Sequence, residues 1–281
     1  MFKVSGGSNK TKEDRFITLY LCINLFYLKL FYRIVGDGYP LVILHGLFGS
    51  SDNWQTFARG MADQYKVISL DLRNHGNSMH TYDFNYNSIS QDIRETLSEL
   101  QLDQYHLLGH SMGGKAAAYH TLENPDRVSK LVIIDIAMRA YPPHHDRYFD
   151  AMLSMDLNQI TNRMEAENWL SNYIHEEIVR KFLLKSLIRE ESGKFKWKFG
   201  LDELYTSYDV VNRAITSDHP FTRDTLIVSG DRSDYITDQD QEYFLKLFPK
   251  ATFSVIAQAG HWVQADQPLA LQNILLDFLS K

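Results

Sequence analysis

The sequence predicts an α/β protein with a mostly parallel central sheet, helices on both faces of the sheet and a helical insertion. From Pro40 onward, short apolar runs alternate with longer helical stretches. Parallel strands joined by crossover helices produce this pattern. The alternation stops between Tyr141 and about Ala214, where helical periods follow one another, and it resumes at Leu226. We therefore expect one sheet-based core interrupted by a cap.

The composition favours one large globular unit. The chain has 281 residues, of which 44% are hydrophobic and 23% are charged, and α/β folds of about 250 residues often form a single unit. The net charge of −6, without a dense basic stripe, argues against a nucleic-acid partner. Cys22 is the sole cysteine, so the chain can form neither an intrachain disulfide nor a structural thiolate metal site. We expect a cytoplasmic protein.

Residues 1–28 form an N-terminal extension with an apolar run at 16–28. This run is shorter than the roughly 20 residues that span a bilayer, so membrane association or export is the less favoured alternative. Its β-branched and aromatic residues instead predict a strand at 17–23, paired in a hairpin-like way with a second strand at 30–35. Gly36-Asp37-Gly38 would form the next turn.

The remaining elements follow from apolar runs and helical periods. We expect residues 29–140 and 215–281 to form the core and 141–214 to form the helical cap. The predicted strands are 41–44, 66–72, 105–108, 131–136, 226–229 and 252–256; the predicted helices are 54–62, 88–100, 113–122 and 268–279 in the core and 148–155, 160–173 and 176–188 in the cap.

Gly109-His-Ser111-Met-Gly113 stands between a predicted strand and an Ala-rich helix. This is the pattern of a nucleophile elbow, a strained turn that exposes a serine hydroxyl above the sheet. Glycine is needed two residues before and after the serine, because a Cβ there would crowd the helix against the strand. The pattern predicts Ser111 as a nucleophile.

The same segment also matches most of a phosphate-binding loop, which would make the protein a nucleotide hydrolase. The position after Lys115 decides against this alternative. It holds Ala116, whereas a phosphate-binding loop needs a hydroxyl there to bind Mg²⁺. Lys115 is then expected to be a surface residue in the first turn of the helix.

A serine hydroxyl needs a general base at neutral pH. Of the eleven histidines, His261 is the best candidate, because it follows the last predicted strand, where the base lies in the chain order Ser, acid, His. The other histidines near motifs have structural interpretations. We expect His45 to brace the loop after its strand, His75 to lie in a turn, His110 to point away from the nucleophile, and His144 and His145 to form a surface pair.

Two aspartates compete for the role of the acid. Asp135 ends an otherwise apolar run, Ile133-Ile-Asp-Ile136, and a carboxylate there needs a partner, for which His261 is the obvious one. Asp234 lies after the penultimate strand, but one residue later than the usual position, which holds Ser233. We place Asp135 first and keep Asp234 in reserve.

The loop Leu44-His-Gly-Leu-Phe-Gly-Ser50 follows the first core strand, where backbone N–H groups complete an oxyanion hole. We expect Leu47 and Met112 to supply these donors, with Phe48 in reserve. The segment Asp71-Leu-Arg-Asn-His-Gly-Asn-Ser78 is expected to tie neighbouring loops together by hydrogen bonds.

Five motifs occur in a fixed order, namely HGLFGSSDNW, DLRNHGNS, GHSMGGK, IIDIA and AGHW. Together they resemble the α/β-hydrolase superfamily, and most of all its small capped carboxylesterases, a bacterial group with mitochondrial relatives. The resemblance covers about 30–281. It implies a Ser-His-Asp hydrolase that acts on short acyl esters or acyl thioesters. In that group the acid is the aspartate of the IIDIA segment, which is Asp135 here.

These expectations amount to a serine carboxylesterase that hydrolyses small-molecule esters through an acyl-enzyme intermediate on Ser111 and needs no metal or organic cofactor. Two alternatives stay open. The same scaffold could carry a C–C bond hydrolase or a lyase, since a fold does not fix a reaction. It could also serve as a ligand-binding receptor with vestigial hydrolysis.

Overall fold

A computed structural model describes residues 28–281 of the chain. The predicted strand at 17–23 lies outside the described residues. In the described part, no helix is both long enough and apolar enough to cross a membrane.

A seven-stranded sheet forms the centre of the described chain, with strand order β1-β3-β2-β4-β5-β8-β9. Only β1 runs antiparallel to its neighbour, β3, so the predicted mostly parallel sheet is confirmed. The strands are β1 Tyr32–Val35, β2 Tyr39–Leu44, β3 Tyr65–Leu70, β4 Tyr105–His110, β5 Val128–Ile134, β6 Leu187–Arg189, β7 Phe195–Trp197, β8 Thr225–Gly230 and β9 Ala251–Ile256. Strands β6 and β7 form a separate antiparallel hairpin.

Helices connect the parallel strands and fill the insertion. A short 3₁₀ turn, Ser51–Trp54, precedes the first of them. The helices are α1 Gln55–Met61, α2 Tyr86–Glu99, α3 Met112–Glu123, α4 Asp146–Leu153, α5 Arg163–Ser171, α6 Glu177–Lys185, α7 Leu201–Thr206, α8 Tyr208–Asn212, α9 Asp240–Leu247, α10 Val263–Asp266 and α11 Pro268–Ser280.

Both faces of the inner strands β2, β3, β4, β5 and β8 are buried, which explains why these strands are apolar without alternation. Along β2, Val42 and Leu44 pack with apolar residues of α2 and α3 on one face. Leu41 and Ile43 pack on the other face with residues of α1 and α11. Successive side chains of a strand point to opposite faces, so one run of four apolar residues serves both layers.

The insertion is not wholly helical, and that part of the prediction was wrong. The three predicted helices are present as α4, which has the predicted length but begins two residues earlier, and as the shorter α5 and α6. They are followed by the β6–β7 hairpin, whose turn contains Gly193 with φ of 84°. Strands of three residues are too short to show a periodicity in the sequence. Four further helices were not predicted, namely α9 and the short α10 in the core, and the short α7 and α8 in the insertion.

Candidate active site

Ser111 lies in a tight turn between β4 and α3. Its φ of 54° and ψ of −125° are strained for a residue with a side chain. The flanking glycines make this turn possible. A Cβ on Gly109 would lie 2.1 Å from the Gly113 carbonyl oxygen, and a Cβ on Gly113 would lie 2.3 Å from the carbonyl oxygen of His45. The loop after β2 thus packs directly against the start of α3.

His261 lies in the loop after β9 and contacts Ser111. Its Nε2 is 3.0 Å from Ser111 Oγ, and its side chain is 17% exposed. The ring of Tyr235 stacks on the imidazole, with ring centroids 4.0 Å apart. The backbone of His261 is also held, because His110 Nε2 donates to its carbonyl oxygen at 2.7 Å. Burial lowers the pKa of His110 to about 3, so this ring is neutral.

Asp135 follows β5 and completes the hydrogen-bonded chain. Its Oδ2 lies 2.8 Å from His261 Nδ1. A carboxylate only accepts hydrogen bonds, so Nδ1 carries the proton and Nε2 is free to accept the Ser111 hydroxyl proton. The carboxylate is fully buried. It is satisfied by two further donors, the Gly230 N–H at 3.2 Å and the Ser233 hydroxyl at 2.5 Å.

The reserve acid occupies a different position. Asp234 is exposed at the rim of the cavity above Ser111, and no hydrogen bond joins it to His261 in the structure. Sequence reasoning missed the role of Ser233 as a hydrogen-bond donor to Asp135. The available signal was its place as the third residue after Gly230, the position at which an acid is expected after the penultimate strand.

Two backbone N–H groups beside Ser111 have no acceptor within residues 28–281, namely those of Leu47 and Met112. The Phe48 N–H, by contrast, donates a hydrogen bond to His75 Nε2 at 3.2 Å. The reserve assignment of Phe48 as an oxyanion donor therefore does not fit the structure. His75 lies in a turn of the Asp71–Ser78 loop, as expected, and its ring also packs 4.9 Å from the ring of His45, which a turn position alone did not predict.

The Asp71–Ser78 loop ties the neighbouring loops together. The Asp71 carboxylate accepts from Ser51 N at 2.6 Å and from Asn77 N at 2.8 Å. Arg73 is buried and forms a bidentate salt bridge with Asp92 of α2. Its Nε lies 2.7 Å from Oδ2 and its Nη2 lies 2.9 Å from Oδ1. The Asp71–Ser78 loop therefore anchors the loop that follows β2.

Lys115 is not the surface residue that the sequence predicted. Its side chain is buried, with 1% relative exposure, and its Nζ donates to the carbonyl oxygens of Arg139, Asn212 and Arg213 at 3.0, 3.3 and 2.7 Å. Burial, together with the nearby Arg139 charge, lowers its pKa to about 7. The ammonium group joins the helix behind the nucleophile to the end of the cap, an arrangement between distant segments that local sequence does not reveal.

The prediction of a surface pair holds for His144 and is wrong for His145. His144 is exposed, and its Nε2 lies 2.9 Å from the Tyr235 hydroxyl. His145 is half-buried, lines the cavity above Ser111 and contacts the Tyr208 hydroxyl at 2.8 Å. Burial lowers its pKa well below the usual value.

A cavity of about 470 Å³ lies between the insertion at 141–214 and the sheet, and both Ser111 and His261 line it. Its wall is largely apolar. In the cap helix α6, the Phe182 ring lies 5.2 Å from that of Trp262 in the core. The lining also includes Leu47, Phe48, Tyr148, Ile178, Val179 and Leu183, with the polar residues Glu176, Arg232, Asp234 and Gln264. Within residues 28–281, no group of three or more His, Cys, Asp or Glu side chains could hold a metal ion.

Comparison with known proteins identifies the class that this fold and site define. Residues 39–268 match the family model described as alpha/beta hydrolase fold. This chain belongs to the α/β-hydrolase family, and within it to an esterase group with bacterial and eukaryotic members.

Individual relatives agree over most of their length. The chain is 36% identical over 245 residues to "Esterase YbfF" of Escherichia coli K12, covering 86% of this chain and 93% of that protein. It is 34% identical over 252 residues to "sn-1-specific diacylglycerol lipase ABHD11" of Danio rerio, covering 87% of this chain and 79% of that one. A solved "Marine microorganism esterase" superposes with a TM-score of 0.87 at 39% identity, over 89% of this chain and 99% of its own.

Proposed function

We propose that this protein is a serine carboxylesterase that hydrolyses small or short-chain acyl esters through an acyl-enzyme on Ser111. One observation carries the proposal. Ser111 Oγ lies 3.0 Å from His261 Nε2, and His261 Nδ1 lies 2.8 Å from the buried Asp135. A nucleophile, a base and an orienting acid within hydrogen-bonding distance of one another are the requirement for acyl transfer by a serine.

In the first half of the reaction, His261 Nε2 takes the proton of Ser111 as Oγ attacks the ester carbonyl carbon. Asp135 holds the imidazole in the required tautomer and stabilises its positive charge. The protonated imidazole then gives its proton to the departing alkoxide, which leaves as the alcohol. The acyl group stays on Ser111 Oγ.

In the second half, a water molecule gives a proton to His261 Nε2 and attacks the acyl carbon. The tetrahedral intermediate collapses, the carboxylic acid leaves, and Ser111 Oγ recovers its proton from the imidazolium. In both halves the negative oxygen of the intermediate binds to the N–H groups of Leu47 and Met112. Both groups flank Ser111, and neither has another acceptor among the described residues.

The cavity favours a small, predominantly apolar acyl group. Its volume of about 470 Å³ lies in the range of small-molecule sites, and aromatic and aliphatic side chains of α6 cover it from the cap side. We include acyl thioesters of short chains among the proposed substrates. We further propose that residues 141–214 act as the cap that closes this cavity over the core formed by 29–140 and 215–281.

A panel of p-nitrophenyl esters and acyl-CoA thioesters of increasing chain length tests the proposal. The account predicts many turnovers per enzyme molecule on short acyl chains, with a declining rate once the chain outgrows the cavity. A single acylation without further turnover would instead indicate a ligand-binding receptor that retains the three residues. No reaction with any member of the panel would refute ester hydrolysis.

A further inference from the structure

Phe48, beside the proposed oxyanion donor Leu47, has an unusual backbone conformation. Its φ is 62°, in the left-handed region that residues with a side chain seldom adopt. Phe48 is the third residue of the four-residue turn Gly46–Gly49. A hydrogen bond from the Gly49 N–H to the Gly46 carbonyl oxygen, at 3.0 Å, closes this turn. Glycine is usual at a turn position with positive φ. Something in the surrounding structure must therefore stabilise phenylalanine in this conformation.

Two buried side chains hold the backbone of Phe48 from opposite directions. The hydroxyl of Ser186, which directly follows cap helix α6, donates to the Phe48 carbonyl oxygen at 2.9 Å. The Phe48 N–H donates to His75 Nε2 at 3.2 Å. His75 Nδ1 faces the carbonyl oxygen of Arg73 at 2.9 Å and must carry the proton, so Nε2 is the acceptor. Burial lowers the pKa of His75 well below its usual value and so keeps the ring neutral.

The ring of Phe48 is held by the cap as well. Its centroid lies 5.1 Å from that of Phe149 in α4 and 5.1 Å from that of Phe199, after the β6–β7 hairpin. Phe199 in turn forms an isolated antiparallel bridge with His75. The ring of His145 also lies 6.5 Å from that of Phe48. The cap therefore contacts this turn through one hydroxyl and three aromatic rings, and it also contacts the histidine that accepts the turn's N–H.

From these contacts we infer that Ser186 and His75 are positioning residues that hold Phe48 in its left-handed conformation and thereby orient the Leu47 N–H towards the oxyanion. The inference rests on the proposed function of Ser111. The Leu47 N–H takes no part in the hydrogen bond between Gly49 and Gly46 that closes this turn. It can therefore donate to the substrate. A Phe48 that relaxed to negative φ would turn the peptide between Leu47 and Phe48 and break the hydrogen bond that closes the turn. Leu47 would then shift, and its N–H would be misdirected. Because Ser186 belongs to the cap, the oxyanion hole is complete only when the cap is seated.

Ser186→Ala tests this role, with Ser171→Ala as the matched control. Ser171 is an exposed cap serine whose hydroxyl bonds only within its own helix, to the Asn168 carbonyl oxygen. We expect Ser186→Ala to lower kcat about tenfold while KM changes less than twofold, because the lost orientation acts on the transition state. Ser186→Thr, which keeps a hydroxyl, should restore most of the rate. Ser171→Ala should match the wild type.

A trifluoromethyl ketone, which places an oxyanion in the hole on reaction with Ser111, gives a second readout. Its affinity should fall in Ser186→Ala by the same factor as kcat. His75→Leu, which removes the acceptor, should reproduce both losses, while His75→Gln, which offers an amide oxygen, should lose less. Rates are compared well below the unfolding temperature of each variant.

Three results would overturn the inference: an unchanged kcat in Ser186→Ala, a loss confined to KM, or a lowered unfolding temperature with normal kcat and normal inhibitor affinity. Failure of the proposed function looks different. In that case the wild type itself hydrolyses no ester and does not react with the ketone.

Discussion

His261 Nδ1 lies 2.8 Å from Asp135 Oδ2, and this contact links two residues that are 126 positions apart in the chain. Asp135 has φ of 53°, a strained value that aims its side chain from the end of β5 towards the loop after β9. The Asp135 N–H donates a hydrogen bond to the carbonyl oxygen of Val228 in β8 at 2.8 Å. This bond to the neighbouring strand stabilises the strained conformation, so the carboxylate is fixed before substrate binds.

The first prediction concerns this carboxylate. Asp135→Asn keeps the shape of the side chain but favours the imidazole tautomer that cannot accept the Ser111 proton. We expect kcat to fall by up to about 10⁴-fold, as the equivalent change does in a serine protease. Asp234→Asn is the matched control and should change kcat less than about threefold, since Asp234 is exposed and forms no hydrogen bond with the imidazole in the structure.

Unfolding midpoints of both aspartate variants must accompany the rates, because a change at the end of a buried strand also affects stability. A folded Asp135→Asn enzyme with near-normal kcat, together with an inactive Asp234→Asn, would transfer the role of the acid to Asp234.

The second prediction concerns Lys115. Lys115→Met should lower the free energy of unfolding by about 2–3 kcal/mol, because the carbonyl oxygens of Arg139 and Arg213 lose the donor that the buried Lys115 side chain supplies. Lys246→Met is the control, since Lys246 forms an exposed pair with Glu242 one turn away and should change stability by about 0.5 kcal/mol or less. Urea unfolding at pH 7 measures the free energy of unfolding of both variants and of the wild type. Equal stability of the two variants would show that the buried ammonium does not stabilise the fold.

The third prediction concerns stability in acid. His120 is fully buried between the Tyr105 hydroxyl at 2.7 Å and the Ser90 hydroxyl at 2.9 Å, and burial lowers its pKa to about 3. The unfolded chain binds a proton at this histidine below about pH 6.5, whereas the folded chain does not until about pH 3. Stability must therefore fall as the pH drops through this window. At pH 5 the loss from this one residue is about 2 kcal/mol.

Urea unfolding at a series of pH values between 7 and 4.5 measures that effect. His120→Gln should show a flatter dependence of stability on pH than the wild type, whatever its stability at pH 7. His219→Gln, at an exposed position, should keep the wild-type slope. A wild-type slope in His120→Gln would mean that this histidine is not kept neutral by the fold.

The layered core and the location of the site could be predicted from the sequence. Parallel strands covered on both faces leave a continuous apolar signal, and the glycines around Ser111 are required by contacts closer than any Cβ allows. These signals are local in the chain, so they are visible before folding is known.

Other features depend on segments that meet only in the folded protein. The burial of Lys115 requires carbonyl oxygens that lie up to 98 residues away. The positive φ of Phe48 depends on the cap residue Ser186, which is 138 positions distant. The β6–β7 hairpin has three residues in each strand, too few for a periodic pattern. The secondary-structure propensity of one segment cannot predict these features, because each depends on a contact with a distant segment or on a strand too short to show a pattern.

The most direct test of the central claim is the detection of an acyl group on Ser111. Wild-type enzyme and Ser111→Ala are mixed with a short-chain p-nitrophenyl ester, and p-nitrophenol release is followed while quenched samples are analysed by peptide mass spectrometry. The account predicts that the wild type acylates the peptide containing Ser111 and turns over many times. Ser111→Ala should fold normally, carry no acyl group and lose about three orders of magnitude or more in rate. Wild-type turnover by a folded Ser111→Ala enzyme would contradict the account.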